Sequence, residues 1–212
     1  MKKIGIDVGA CVGETLHQFI DEGFDKIYAI EPGQDEYQQL CEMIIREDWS
    51  EKVIPIFGAV HLEDKPVELI PYWNGRFSSL LEFNKEGEFY QYCEENLSIN
   101  GERERVMVPG WRLDTLINKW NLKDVEIDYV KIDTQGTDLN VVKSLGTSIS
   151  NVKKISVEVQ LEELYKGSPT KEEVNSYMSK NNFTCIEEET HRQRLDEPMR
   201  EQDLVFINNK FL

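Results

Sequence analysis

The sequence predicts an α/β protein of Rossmann-like type, with a mostly parallel seven-stranded sheet and an antiparallel last strand. Three observations support this fold class. Apolar runs of strand length alternate with segments of helical periodicity, as in consecutive βαβ units. A loop with glycines at positions 9 and 13 joins the first strand to the first helix. The last two strand-like runs, 184–188 and 204–208, have no helix between them, so they should pair antiparallel.

Each element follows from the spacing of its apolar residues. The predicted strands are 3–8, 26–30, 53–57, 129–133, 154–160, 184–188 and 204–208. The predicted helices are 14–22, 35–49, 113–120, 138–145 and 171–180. In the first helix, Leu16, Phe19 and Ile20 repeat at helical spacing, and the proline and glycine after Glu31 end the second strand.

The middle of the chain, about 61–111, breaks this alternation and is predicted to be an insertion over the carboxyl edge of the sheet. It contains extended segments at 66–72, 76–82 and 105–111 around a helix at 88–97. A polar loop is expected at 189–202. We expect residues 1–212 to form a single domain, which suits either a small enzyme or one domain excised from a longer multidomain polypeptide.

Composition and charge limit the classes of partner that the protein can bind. The 212 residues include 24 Lys and Arg against 40 Asp and Glu, giving a formal net charge of -16. This charge disfavours nucleic acid and anionic membranes as partners. The four cysteines have no zinc-ligand spacing, and no apolar run reaches membrane-spanning length. We therefore predict a cytoplasmic protein with reduced thiols.

The loop after the first strand has the composition of a ligand-binding turn. Gly9 and Gly13 let the backbone turn sharply and approach a ligand, and the amides at the start of the next helix can receive a carboxylate. We assign Asp7, Gly9, Ala10 and Gly13 to a cofactor site. A tight turn with only a structural role is the alternative.

An acid follows the second strand, about twenty residues after the loop. Glu31 is placed to accept hydrogen bonds from both hydroxyls of a ribose, which indicates a nucleoside-containing cofactor. NAD is disfavoured because Ala10 and Cys11 stand where a dinucleotide site needs a second glycine. The segment 4–9 is also similar to the first phosphate loop of actin-like sugar kinases, although those folds continue into a hairpin and the residues from Glu14 onward predict a helix.

Several blocks together resemble the FkbM family of methyltransferases. The most specific are Leu-Asp-Thr-Leu at 113–116 and Ile-Asp-Tyr-Val-Lys-Ile-Asp-Thr-Gln-Gly-Thr-Asp at 127–138. The blocks at 7–15, 31–32, 58–60 and 78–80 follow the family's order. The resemblance implies a class I methyltransferase fold, S-adenosylmethionine as cofactor, and methyl transfer to oxygen, often a hydroxyl of a sugar, a glycosylated product or a polyketide.

The resemblance also bears on individual residues. It implies that Pro32, Ala59 and Val60 lie at the cofactor with Glu31. The family usually carries Glu at the position of Gln135 and a second Glu where Asp138 stands, so this chain departs from the pattern at both positions.

Two acids at the ends of neighbouring strands are the candidates for catalysis. Asp133 ends the fourth strand of the predicted sheet and Glu158 lies near the end of the fifth, where ligands bind in such sheets. Either can act as a general base, or both can bind a divalent cation such as Mg or Mn. Asp133 can instead cap the following helix, as Asp114 is expected to cap its own. His191 is a second candidate base.

Aromatic and polar residues of the insertion are the candidates for acceptor binding. Trp73 and Trp111 can pack against a sugar ring, or they can belong to the core. Ser78, Ser79 and Gln135 supply polar groups. The predicted function is O-methylation of a carbohydrate or sugar-bearing acceptor. The alternatives are a non-catalytic cofactor-binding module of a larger glycan-processing protein, with covalently linked glycosyltransferase domains, and an actin-like small-molecule kinase.

Overall fold

A computed structural model of the chain describes residues 2–96, 101–190 and 201–212. One sheet of seven strands organises it, in the order β10-β11-β9-β8-β1-β2-β3. These strands are β1 (Ile4–Val8), β2 (Lys26–Glu31), β3 (Val53–Phe57), β8 (Ile127–Ile132), β9 (Val152–Gln160), β10 (Phe183–Thr190) and β11 (Glu201–Asn208). All neighbours pair parallel except β11, which is antiparallel to both β9 and β10. The predicted fold class is confirmed.

Helices cover both faces of the sheet. They are α1 (Leu16–Asp21), α2 (Gln34–Arg46), α3 (Glu88–Asn96), α4 (Leu113–Lys119), α5 (Asp138–Ser144) and α6 (Lys171–Lys180). The buried residues of α1 and α2 form one apolar cluster with Ile27, Ala29 and Tyr129 of the strands. Those of α4, α5 and α6 form a second cluster on the other face, with residues such as Ile6 and Val130. No helix in the described ranges is long and apolar enough to cross a membrane.

Two pairs of short strands build the insertion. The parallel pair is β4 (Ala59–Val60) with β7 (Gly110–Trp111), and the antiparallel pair is β5 (Val67–Leu69) with β6 (Val106–Val108). Because β4 and β7 lie side by side, the insertion leaves and rejoins the main fold at one place. Its own apolar cluster includes Tyr72, Phe83 and Cys93 together with Tyr165, which follows β9.

Three local predictions are wrong. Residues 76–82 were expected to be extended, but a 3-10 turn occupies Gly75–Phe77 and only Ser79 pairs as a bridge, with Ile70. The first helix begins at Leu16 rather than at 14, because the glycine loop continues as turns up to that residue. The strands β10 and β11 extend into the predicted polar loop, as far as Thr190 and from Glu201.

Candidate functional site

A cavity of about 460 Å³ opens at the carboxyl ends of β1, β2, β8 and β9, beneath the insertion. Of the residues predicted for a site, the cavity is lined by Gly9, Ala10, Glu31, Pro32, Ala59, Val60, Ser78, Ser79, Asp133, Gln135 and Glu158. These positions come from six separate segments of the sequence. The fold therefore gathers most of the predicted cofactor, acceptor and catalytic residues around one space.

The two glycines of the loop adopt backbone conformations that suit glycine, with φ +85° at Gly9 and +91° at Gly13. A Cβ at Gly9 would lie 1.8 Å from the carbonyl oxygen of Asp133, and one at Gly13 would lie 2.2 Å from Cε of Met43. The atoms that exclude a side chain thus belong to the protein. Gly9 therefore lets β1 approach β8, and Gly13 lets the loop approach α2. The expectation that these glycines also let a ligand approach stays a prediction.

The start of α1 is also different from the prediction. The helix has only six residues and its first turn lies after the loop. Several loop amides already have acceptors, since those of Gly9 and Ala10 both donate to the carbonyl oxygen of Ile30, each at 3.0 Å. The first two amides of the loop therefore bond to β2, and the next one, that of Cys11, bonds to the side chain of Glu31. The predicted carboxylate seat at the start of α1 stays a prediction.

Glu31 is held by backbone amides on both of its oxygens. Oε2 accepts from the amide of Cys11 and Oε1 accepts from the amide of Gly33, both at 2.7 Å. Glu31 is only 6 % exposed, and this burial raises its pKa to about 7, against the lowering effect of the two amides. Each carboxylate oxygen keeps a second lone pair. Glu31 is thus oriented at the cavity wall with acceptor capacity left for a ligand.

Asp7 lies inside the sheet next to this wall rather than on the lining. It is completely buried, and within the described residues neither carboxylate oxygen has a hydrogen-bond partner. Burial raises its pKa to about 6, Lys131 opposes that shift, and Asp133 adds to it. An unpartnered buried carboxyl next to a cavity is costly in a protein interior, which makes Asp7 a group that a bound ligand or water can satisfy.

Asp133 is not a helix cap. The N-cap of α5 is Thr137, and the residue that satisfies the amides of the preceding turn is Asp138, which accepts from Thr134 at 2.8 Å and from Gly136 at 3.0 Å. Asp133 pairs instead with Nζ of Lys131 at 3.0 Å. The role of helix cap is therefore excluded for Asp133, and the residue lines the cavity.

The prediction that Asp114 caps α4 is also wrong. The helix begins at Leu113, as predicted, with Arg112 as N-cap, so Asp114 lies inside its first turn. Asp114 forms a two-bonded ion pair with Arg112, at 2.9 and 2.7 Å. Asp114 therefore stabilises the entry to α4 and does not line the cavity.

Glu158 and Asp133 are linked by the side chain of Gln135. The amide nitrogen of Gln135 donates to Oδ1 of Asp133 at 3.0 Å and to Oε2 of Glu158 at 3.1 Å. Glu158 is buried, and this burial, together with the charge of Asp133, raises its pKa well above the ordinary value of a glutamate. A carboxyl group with a raised pKa at a cavity is suited to proton transfer near neutral pH.

A divalent cation does not fit between these two acids as they are arranged. The space between their facing oxygens is bridged by two N–H groups, which repel a cation. In the described ranges, no group of three His, Cys, Asp or Glu side chains is placed to hold a metal ion. The geometry therefore favours the role of a base over that of a metal ligand for Asp133 and Glu158.

Some of the residues predicted to bind the acceptor line the cavity, and others do not. Ser78 and Ser79 line the cavity, but Ser78 accepts from the amide of Tyr72 and Ser79 donates to the carbonyl oxygen of Gln135. Neither tryptophan is part of the lining within the described chain. Trp73 is 64 % exposed, and Trp111 packs against the core with Nζ of Lys119 3.8 Å from its ring centre. The candidate base His191 lies outside the described residues.

Several residues of the site were not predicted from the sequence, and four of them lie at its acid pair. Lys131, Glu201 and Asp203 line the cavity, and Tyr165 packs behind it with its hydroxyl at hydrogen-bond distance from Gln135 Oε1, 3.0 Å. The signal for Lys131 was present, because a lysine inside an apolar strand needs a buried partner. Asp203 reaches the cavity since β11 runs antiparallel and pairs Asp203 with Glu158, a register that the sequence does not reveal.

Comparison with known proteins identifies the family. The model of the FkbM methyltransferase domain matches residues 7–185 of the chain. No curated protein gives a significant match.

Three solved structures share the fold over nearly the whole chain. A methyltransferase FkbM from Methylobacillus flagellatus has a TM-score of 0.57 at 14% identity, covering 96% of this chain and 43% of its own. M. capricolum TrmK in complex with S-adenosylhomocysteine has a TM-score of 0.53 at 10% identity, covering 98% and 63%. A candidate tRNA (m1A22) methyltransferase from Streptococcus pneumoniae has a TM-score of 0.51 at 12% identity, covering 98% and 64%.

The two kinds of comparison carry different weight. The chain spans less than two thirds of the length of each of these three proteins, and at such low identities the likeness shows the fold alone. That fold is the class I methyltransferase fold, in which a helix rather than a hairpin follows the first loop, so the actin-like kinase is excluded. Because the family model covers most of the sequence, including the glycine loop, Glu31 and the segment 131–138, the chain belongs to the family of FkbM-domain methyltransferases.

Proposed function

We propose that this protein is an S-adenosylmethionine-dependent O-methyltransferase that acts on a hydroxyl of a carbohydrate or sugar-bearing acceptor. The observation that carries the proposal is that one cavity joins Glu31, held by two backbone amides, to the acid pair of Asp133 and Glu158. A nucleoside cofactor and a reacting hydroxyl can therefore lie side by side in a single site.

The residues present fit the cofactor. Glu31 offers two oriented oxygens for the ribose hydroxyls, and Ala59 and Val60 offer an apolar wall for the adenine. The buried carboxyl of Asp7 lies just before the glycine loop and has no hydrogen-bond partner in the described residues, so a donor of the bound cofactor, or a water beside it, would satisfy it. A volume of about 460 Å³ is within the usual range of small-molecule sites.

The protein's own residues have only a small part in the chemistry of methyl transfer. When bound, S-adenosylmethionine supplies an electrophilic methyl group on a sulfonium sulfur. The chain then has to orient the acceptor hydroxyl in line and accept its proton. Glu158 is the stronger candidate for the base, because burial and the neighbouring charge of Asp133 raise its pKa toward the range in which a carboxylate takes up a proton effectively. Asp133 forms an ion pair with Lys131 beside this proposed base.

The acceptor is proposed to be neutral. The net charge of -16 and the carboxylates of Asp133, Glu158, Glu201 and Asp203 around the cavity are unfavourable for a polyanion such as RNA. A saccharide carries no charge and offers vicinal hydroxyls. Trp73, exposed on the insertion, supplies a flat apolar surface for the remote rings of a larger glycan. Linked glycosyltransferase domains in a longer polypeptide would supply such an acceptor.

Two measurements test the proposal. S-adenosylhomocysteine should raise the melting temperature, whereas NAD and ATP should not. With methyl-labelled cofactor and a panel of free glycans, label should appear on a saccharide hydroxyl. Labelling of RNA or of a protein side chain, with none on any saccharide, would show that the acceptor class is wrong. Binding of S-adenosylhomocysteine with no transfer to any acceptor would favour the non-catalytic module instead.

A further inference from the structure

The side chain of Gln135 lies between two buried or half-buried carboxylates at the centre of the cavity. The backbone directs it there, because Gln135 has φ +54° and the following Gly136 has φ +94°. Two successive left-handed residues reverse the chain after β8 and turn the side chain back toward the ends of β8 and β9. Left-handed backbone is uncommon for a residue other than glycine, asparagine or aspartate, so this placement has a conformational cost.

Every polar atom of this side chain has a partner. The two N–H groups of the amide point to Asp133 and to Glu158, at 3.0 and 3.1 Å. Its oxygen is 3.0 Å from the hydroxyl of Tyr165, which is fully buried. An ionised carboxylate only accepts hydrogen bonds, so the nitrogen end of the amide faces Asp133 and Glu158. The single hydrogen of the Tyr165 hydroxyl is shared between Gln135 Oε1 and the carbonyl oxygen of Phe77. The amide is therefore used as a donor of two hydrogen bonds toward the reactive end of the cavity.

The insertion reinforces the same orientation. The hydroxyl of Ser79 donates to the backbone carbonyl of Gln135 at 2.6 Å. The hydroxyl of Tyr165 is also 2.9 Å from the carbonyl oxygen of Phe77, on the 3-10 turn. Gln135 thus connects the acids of two strands with the segment that closes over the cavity.

We propose that Gln135 is a positioning residue whose amide takes the place of a divalent cation between Asp133 and Glu158, so that the acid pair works without a metal. This proposal rests on the proposed function, because the acids it positions are those assigned to the methyl-transfer site. Two carboxylates that share a cavity repel each other unless hydrogen-bond donors or a cation lie between them. Here the donors are the two N–H groups of one neutral amide.

The same geometry makes a prediction about the isosteric acid. In Gln135→Glu the two donors disappear and a third carboxylate faces the other two at hydrogen-bond distance. Three carboxylates in one cluster are the oxygen ligand set of Mg²⁺, Mn²⁺ or Ca²⁺. We therefore expect the substitution to create a cation site that the natural residue prevents.

Mn²⁺ binding, measured by calorimetry together with S-adenosylhomocysteine binding on the same samples, tests this proposal. Gln135→Glu should bind one Mn²⁺ roughly tenfold or more tightly than the unaltered protein binds Mn²⁺, because the number of charged ligands sets the affinity. Gln135→Ala is the matched control, since it removes the amide without adding a charge, and it should gain nothing. Adding Asp133→Asn to Gln135→Glu should abolish the gain, which separates this site from acids on the surface.

The outcomes are distinct. If Gln135→Glu gains no Mn²⁺ affinity, or gains it equally with Asp133→Asn present, the proposal is overturned. It is also overturned if the unaltered protein binds Mn²⁺ at a site that Glu158→Gln removes, a test that does not depend on the folding of Gln135→Glu. Absence of S-adenosylhomocysteine binding by the unaltered protein would contradict the proposed function but would leave the Mn²⁺ result interpretable.

Discussion

The two halves of the cavity are built in different ways. The half at β1 and β2 is made mainly by backbone, because Glu31 is oriented by the amides of Cys11 and Gly33 and the loop amides of Gly9 and Ala10 bond to β2. The half at β8 and β9 is made by side chains that contact one another. There Gln135 bonds to two acids and stands at hydrogen-bond distance from Tyr165.

This difference has a functional consequence. A backbone-built half depends on local turn geometry, and such a half suits a cofactor that is the same in every turnover. A half built from side chains of distant segments can change by single substitutions, which suits an acceptor that differs between relatives. The two halves should therefore respond differently to mutation: one through binding of the cofactor, the other through the rate of transfer.

The largest effect is expected at the side-chain half. Glu158→Gln should lower turnover about a hundredfold or more, because it removes the proposed base while preserving shape. Affinity for S-adenosylhomocysteine should stay nearly constant, as Glu158 lies away from the glycine loop. Transfer of labelled methyl groups and calorimetry, done on the same preparation, measure the two quantities. Asp133→Asn should behave similarly in turnover, and unchanged transfer by both variants would remove the acid pair from the mechanism.

The next effect concerns the backbone-built half. Gly9→Ala should reduce the free energy of unfolding by roughly 2–3 kcal/mol or prevent folding, because its Cβ meets the carbonyl oxygen of Asp133 at 1.8 Å in a left-handed backbone. The matched control is Gly23→Ala, where φ is also positive, +75°, but nothing lies within 4 Å. That control should lose only the conformational part, about 1–2 kcal/mol. Equal losses at both positions, measured by urea unfolding, would contradict the close approach of β1 and β8.

Replacing Glu31 should affect cofactor binding, whereas replacing Glu158 should affect the rate of transfer. Glu31→Ala should weaken S-adenosylhomocysteine binding by about 1–3 kcal/mol, since the charged hydrogen bonds to the ribose are lost. Glu42→Ala, on an exposed part of α2, serves as the control and should bind normally. If a folded Glu31→Ala protein keeps full affinity in calorimetry, the ribose assignment is wrong.

Glu31 should also make the stability of the protein depend on pH, which is a smaller effect. Burial raises the pKa of Glu31 from 4.5 to about 7, so the folded state holds a proton that the unfolded state releases. Its contribution to stability is therefore present at low pH and is lost as the pH rises from about 4.5 through 7. In the absence of cofactor, the unfolding free energy of Glu31→Gln should fall between pH 5 and 8 by about 1–2 kcal/mol less than that of the unaltered protein.

Chemical denaturation at several pH values gives the comparison for this prediction. Some slope should remain in Glu31→Gln, because burial also raises the pKa of Asp7, to about 6. Parallel profiles for the variant and the unaltered protein would mean that Glu31 is not protonated in the free fold.

The smallest effect is expected where the insertion meets the loop. Arg76, on the 3-10 turn, forms an ion pair with Glu14, and both side chains are more than half exposed. Exposed pairs contribute about 0–1 kcal/mol. Arg76→Ala should therefore weaken S-adenosylhomocysteine binding no more than about fivefold, and the difference should vanish in high salt. A large, salt-independent loss would show that Arg76 contacts the cofactor directly.

The sequence predicted the backbone-built half far better than the other. The alternation of strands and helices, the loop, Glu31 and the antiparallel β11 follow from local patterns that a single segment carries, whereas the order of the strands in the sheet was not predicted. The partners of Gln135 come from β9, from the turn at Phe77 and from Tyr165, and no local pattern records that these segments meet. The two tryptophans were assigned to the cavity on residue type alone, and type does not specify which way a side chain points.

A crystal structure of the protein with S-adenosylhomocysteine tests the account most directly. It should place the ribose hydroxyls at hydrogen-bond distance from the Glu31 carboxylate, with the sulfur turned toward the side of the cavity that holds Glu158 and Gln135. The amide of Gln135 should still bridge Asp133 and Glu158 in that complex. A ligand bound outside this cavity, or one whose sulfur faces away from Glu158, would contradict the division of the site into a cofactor half and an acceptor half.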